Sequence, residues 1–126
     1  MPKVVLQPDG LPPGHLPFSQ LVEAHGFVFV AGQVGDDALT GAVVPGGIAA
    51  EVRQMLDNVR SRLRLVGLDL SDVVKATVYL TDMSDFAAYN EVWHESFPSD
   101  PPTRATIGVS SLAIGARCEV EVVAAR

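Results

Sequence analysis

An α+β domain, with two helices on one face of a mixed β-sheet, is the fold this sequence predicts, and three observations carry it. Ile48, Val52, Met55, Leu56, Val59, Leu63 and Val66 recur at the spacing of one helical face. Residues 73–80 and 117–124 alternate apolar and polar side chains with a period of two, the mark of half-buried strands. Between them, Phe86, Tyr89, Asn90, Trp93 and Phe97 form a second helical stripe. At 126 residues and 48% hydrophobic composition, the chain suits one compact domain, 1–126, with a sizeable core.

Taken in order, residues 1–26 are rich in proline and glycine, and Pro12, Pro13, Gly14 and Pro17 keep the backbone extended or turned. Val4–Leu6 is expected as an edge strand and Phe18–Val22 as another. Gly26 turns into Phe27–Ala31, an apolar run that reads as a buried strand ended by Gly32-Gln33. Residues 36–41 form a turn leading to a short strand at Ala42–Val44. The first helix follows and stops at Gly67; Glu51, Arg53, Asp57, Arg60 and Arg64 lie on what reads as its solvated face. On the strand over 73–80, Val74, Ala76, Val78 and Leu80 point one way and Val73, Lys75, Thr77 and Tyr79 the other. Ser84 is the expected N-cap of the second helix, which Pro98 ends.

The stretch Pro101 to Ala124 closes the chain with two strands, Thr103–Val109 and Arg117–Ala124, around a loop containing Ser110, Ser111 and Gly115. Paired as a hairpin, they place Arg104 on one face with Glu119 and Glu121. Two readings stay open from spacing alone. The three residues form an ordinary cross-strand ion pair, or Arg104 holds a substrate carboxylate bidentately while a glutamate handles a water. The sheet face bearing Thr77, Tyr79, Val123 and Arg104 is left without a helix, so an oligomer that packs such faces together is expected.

Composition narrows the classes. The net charge is −6, and the one basic cluster, Arg53, Arg60, Arg62 and Arg64, is diluted by Glu51 and Asp57, so nucleic-acid binding is disfavoured. No apolar run approaches twenty residues, which predicts no membrane span. The N-terminus has no apolar signal region, and a single cysteine, Cys118, fits a reducing compartment, so a cytoplasmic location is expected. Cys118 falls on the apolar face of its strand and reads as a buried small hydrophobe. Gly46-Gly47 lacks the rest of a phosphate loop, and His15, His25 and His94 are scattered, so neither a phosphate site nor a metal is expected. Ser110-Ser111 has no general base beside it in sequence. Asn90, the polar member of an apolar stripe, reads equally as a helix-to-strand hydrogen bond or as a polar group in a cleft.

PPTRATIGVSSLAIGARCEVEVVA resembles the C-terminal signature of the Rid family of reactive intermediate or imine deaminases, whose older labels are endoribonuclease and translation inhibitor. Phe29 to Val34, Met55 to Val59, Val74 to Met83 and Asp85 to Asn90 follow in the family's usual order, so the resemblance covers nearly the whole chain. It implies a chorismate-mutase-like fold, a homotrimer with sites in clefts between subunits, and hydrolysis of 2-imino or enamine acids to 2-keto acids and ammonia without metal or organic cofactor. Matched position by position, Arg104 becomes the carboxylate-binding arginine and Glu119 the residue that orients the attacking water. Asn90 lines the cleft, and Gly32 supplies a backbone contact. Thr106 stands where many members have cysteine, at a backbone position that meets the imine nitrogen. Phe18 stands where active deaminases usually carry tyrosine, keeping an apolar wall without the hydroxyl. The rival reading of the same residues is a non-catalytic protein that binds or senses a small carboxylate through Arg104.

Overall fold

In the computed structural model, which describes residues 2–12, 14 and 16–126, the chain builds one six-stranded sheet with two helices on one side. Pro13 of the extended segment and His15 of the scattered histidines lie outside the described residues. The strands are β1 (Lys3–Val5), β2 (Leu21–Ala24), β3 (Phe27–Val34), β4 (Val73–Leu80), β5 (Thr103–Gly108) and β6 (Cys118–Ala125). The helices are α1 (Ile48–Arg64) and α2 (Phe86–Ser96). Their order across the sheet is β1-β2-β3-β6-β4-β5, with β4 and β5 parallel and every other pair antiparallel. This is the expected α+β class with a mixed sheet.

The core sits between sheet and helices. Val52, Met55, Leu56, Val59 and Leu63 of α1 are buried, each contributing on the order of 2 kcal/mol of apolar transfer. They meet Val28 and Val30 of β3, Ala76, Val78 and Leu80 of β4, and Val120, Val122 and Ala124 of β6. The helix stops as expected: Gly67 takes φ 81°, and Leu68 N–H donates back to Leu63 O across it at 3.0 Å. Cys118 is buried, and desolvation pushes its thiol up to about 12, so it behaves as a hydrophobe.

Several local expectations are corrected. Phe18, Ser19 and Gln20 precede β2, because the two-residue turn His25-Gly26, both with positive φ, fixes the β2–β3 register from Leu21 onward. β3 runs past Gly32-Gln33 to Val34, since a bulge between Val30 and Gln33 lets it keep pairing with β6. Nor is β3 buried on both faces: Phe29 is 44% exposed on the side away from the helices. Residues 42–44 make only an isolated bridge, Asp36 to Val43. A second bulge, between Val73 and Lys75, reverses the expected facing of Val73 and Val74, so that Val73 is buried and Val74 exposed. Ser84 does not cap α2; it lies in a 3-10 turn where its N–H and hydroxyl both donate to Asp82 Oδ1. Glu51 is 4% exposed rather than solvated, and its Oε1 accepts Arg117 N–H at 2.8 Å, tying α1 to the start of β6.

The largest correction concerns the C-terminal strands. β5 and β6 do not form a hairpin, because β4 lies between them. The segment β4–α2–β5 is a crossover unit: two parallel neighbours must be joined by a long connection, and α2 supplies it. The returning chain then pairs with the other side of β4.

Candidate active site

Arg104 lies on β5, an edge strand, in register with Ala76 of β4. Ala76 faces the helices, so Arg104 does too, and it leaves the uncovered face to which its sequence pattern assigned it. Its guanidinium carbon stands 5.1 Å from the ring centroid of Trp93, 5.4 Å from Tyr89 and 5.6 Å from Phe86. Arg104 Nη2 donates to Asn90 Oδ1 at 2.6 Å. Asn90 thus makes the helix-to-strand bond, and makes it to Arg104. Desolvation lowers the pKa of Arg104, yet a guanidinium stays protonated at any physiological pH. Thr106, two residues on, shares this side of β5 in register with Val78.

Glu119 lies elsewhere. It pairs with Tyr79 of β4 and Val34 of β3, and it stands with Glu121 on the side of the sheet away from the helices. Burial, and after it the Glu121 charge, raise its pKa above the ordinary 4.5. Tyr79 Oη donates to Glu121 Oε1 at 3.0 Å. Gly32 makes room for the Glu119 carboxylate: a Cβ on Gly32 would stand 2.7 Å from Glu119 Oε2. Nearby, Ser19, Val22, Phe29, Lys75, Thr77 and Glu121 line an open groove of about 390 Å³ on the same face. Phe18 is 54% exposed and borders a second groove, of about 350 Å³, with Val5, Gln7, Leu16 and Pro17.

One chain therefore holds the candidate residues in two separate groups. Arg104 is level with Ala76 and Glu119 with Tyr79, three residues further along β4, and the strands that bear them are two spacings apart. Strand geometry makes each offset about 10 Å, or roughly 14 Å between the Cα positions, with the side chains on opposite faces. Arg104, Asn90 and Thr106 come together, and so do Glu119 and Gly32; the structure does not bring the two groups to one another within a chain.

Residues 12–126 match the family model described as endoribonuclease L-PSP. The chain belongs to this family, also called Rid. Among its Rid relatives, a RutC family protein of Pyrococcus horikoshii is 41% identical over 97% of this chain and 97% of its own. The 2-iminobutanoate/2-iminopropanoate deaminase of Homo sapiens is 41% identical over 86% of this chain and 79% of that protein. The solved structure of RidA from an Antarctic Psychrobacter superposes with a TM-score of 0.88 at 33% identity, covering 98% of this chain and 99% of that one. The Rid fold, the mixed sheet and the two helices are thus shared over 98% of this chain.

Reading this Rid sequence alone misses three features: the aromatic surroundings of Arg104, the Tyr79–Glu121 bond and the buried Glu51. The first had a signal. Phe86, Tyr89, Asn90 and Trp93 were visible as one helical stripe, and a crossover reading of β4–α2–β5 sets that stripe over β5. The buried Glu51 had none, because its partner is a backbone N–H far away in sequence.

Proposed function

We propose that the protein hydrolyses small 2-imino acids and their enamine tautomers to 2-keto acids and ammonia, in clefts between the subunits of a homotrimer. The observation that carries this reading is the Arg104 guanidinium, bonded to Asn90 and flanked by three rings at a sheet edge, in a chain 41–42% identical to proteins named 2-iminobutanoate/2-iminopropanoate deaminase. A planar guanidinium holds a planar carboxylate by two parallel hydrogen bonds, which also orients the adjoining imine carbon. Glu119, a carboxylate whose burial raises its proton affinity, takes a proton from water as the oxygen attacks that carbon. Glu119 passes that proton to the nitrogen, and the second water proton follows as the resulting carbinolamine collapses to the carbonyl. The C–N bond breaks with the nitrogen leaving as ammonia, and the keto acid remains. Thr106 offers its backbone to the imine nitrogen, Gly32 a backbone contact, and Phe18 an apolar wall. The separation of Arg104 from Glu119 within one chain supports a site that draws on two subunits.

A second reading rests on Phe18, a phenylalanine with no hydroxyl for substrate: a small-carboxylate binder without turnover. The test is keto-acid release from imines generated in situ by an amino-acid oxidase. Deamination requires wild type to exceed the uncatalysed rate and Arg104→Ala to fall to it. A Glu119→Gln variant should lose about 10²-fold or more in rate, the usual worth of a general base. If wild type gives no acceleration yet binds 2-oxobutanoate, and Glu119→Gln binds it equally, the binder reading replaces the enzyme.

A further inference from the structure

We infer that Phe86, Tyr89 and Trp93 form an aromatic shelf that fixes the plane of the Arg104 guanidinium, making them positioning residues for carboxylate recognition. The inference rests on the proposed role of Arg104 as the carboxylate-binding group. Three rings on successive turns of α2 lie 5.1–5.6 Å from one guanidinium carbon, within the range where a ring face attracts a cation. The shelf is itself braced: Tyr89 stacks on Trp93 at 5.7 Å, and Trp93 packs on Phe97 at 4.6 Å. Tyr89, Trp93 and Phe97 are buried, so the rings are held by the core rather than by the arginine.

The physical need for such a shelf follows from the strand that carries Arg104. β5 has a neighbour on one side only, and an arginine there has four soft side-chain torsions to freeze before it can present two parallel donors. Asn90 Oδ1 fixes one Nη2 hydrogen at 2.6 Å but leaves rotation about that bond. A ring surface removes the rotation, because the cation is attracted to the ring faces and excluded from the core beneath them. With Nη2 turned toward Asn90 and the rings below, the guanidinium is left with donors for a ligand arriving at the sheet edge. Lysine at this position would keep the charge and lose the orientation.

Trp93 is the sole tryptophan, so its emission reports directly on occupancy beside Arg104. The experiment titrates the full chain with 2-oxobutanoate, by Trp93 emission for wild type and by calorimetry for Phe86→Leu, Trp93→Leu, Trp93→Phe and Arg104→Ala. The same proteins are assayed for kcat and KM on in situ imines, and the Arg104 Nε–H resonance is recorded in each. Trp93→Leu is expected to raise Kd and KM about tenfold, the order a partly desolvated cation–π contact supplies, with kcat changed far less. Trp93→Phe restores most of the affinity. The half-exposed Phe86→Leu should show a smaller rise and keeps the test open if Trp93→Leu does not fold. The Arg104 Nε–H signal should be ring-current shifted in wild type and move toward its free position in Trp93→Leu. Unchanged Kd in both leucine variants, with binding lost in Arg104→Ala, overturns the shelf and leaves the deaminase reading standing. Weakened binding in the leucine variants of a protein that hydrolyses no imine supports the shelf and removes the deaminase. If wild type neither binds 2-oxobutanoate nor hydrolyses imines, both are overturned; if it hydrolyses imines without measurable 2-oxobutanoate binding, an unchanged KM in both leucine variants overturns the shelf.

Discussion

At Gly32, Tyr89 and Glu119, single residues meet demands that can be tested one at a time. The Tyr89 hydroxyl is buried with no hydrogen-bond partner among the described residues, and burial drives its pKa well above the ordinary value. Removing an unsatisfied polar atom relieves its desolvation cost, so Tyr89→Phe should leave the denaturant midpoint unchanged or raise stability by about 1 kcal/mol. A loss of more than that would mean the hydroxyl has a partner. Gly32→Ala tests the opposite case. Its Cβ collides with the mobile end of Glu119, so the protein should fold with nearly normal stability while the carboxylate is displaced. Keto-acid release should then drop by about tenfold or more, as small misplacements of a catalytic group do.

Glu119 also makes a pH prediction whose sign is fixed by the direction of its shift. Its folded pKa lies above 4.5, so the folded chain binds a proton more readily than the unfolded one. Above 4.5 the group's contribution to stability therefore declines as pH rises through the folded pKa, and below 4.5 it is fully present. Glu119→Gln should flatten this part of the stability profile, read from urea midpoints across pH. In the proposed reaction the base form of Glu119 is needed, so the acid limb of kcat/KM should lie above the ordinary value of 4.5 and be missing from the residual activity of Glu119→Gln.

At the scale of elements, two contacts hold the frame on which the two groups of candidate residues stand. Glu51 of α1 accepts the Arg117 N–H, and the Arg117 side chain in turn pairs with Asp85 at the N-terminus of α2 (2.9 Å). One arginine thus joins both helices to the strand that bears Glu119. Glu51→Ala strands the Arg117 N–H and should cost about 2 kcal/mol, measured by denaturant unfolding. Gly35, just beyond β3, admits a close backbone approach: a Cβ there would overlap Glu51 O and stand 2.9 Å from Glu51 Cα. Neither side is a flexible tip, so Gly35→Ala should destabilise by about 3 kcal/mol, in contrast to Gly32→Ala. The elements were largely legible. The α1 stripe, the Gly67 stop and the alternation on β6 follow from local periodicity, which neighbours do not alter. The bulges at Val30/Gln33 and Val73/Lys75 were not, because a bulge depends on the partner strand's register.

Across the whole molecule, the sheet face away from the helices carries Phe27, Phe29, Ile107 and Val123 around the polar group Tyr79, Glu119 and Glu121. A charge placed in this apolar surface should block the proposed assembly: Phe29→Asp is expected to elute as a monomer and to lose imine hydrolysis, since the proposed site draws on two subunits. A monomeric variant with full activity would overturn a site shared between subunits. What the sequence determined by itself was the class of fold and the identity of the helices and most strands, and each of those rests on local periodicity. The choice of Arg104, Asn90 and Glu119 as candidate site residues came from the resemblance to the Rid family, since spacing alone left an ordinary ion pair or hydrogen bond and a site both open to them. Only the tertiary structure decided that β4 separates β5 from β6, that Arg104 turns toward the rings of α2, and that Glu119 turns away from them. The physical reason is that strand order is set by long-range pairing and by the α2 crossover. A shift of partner sends a side chain to the other face without changing one letter of the local pattern.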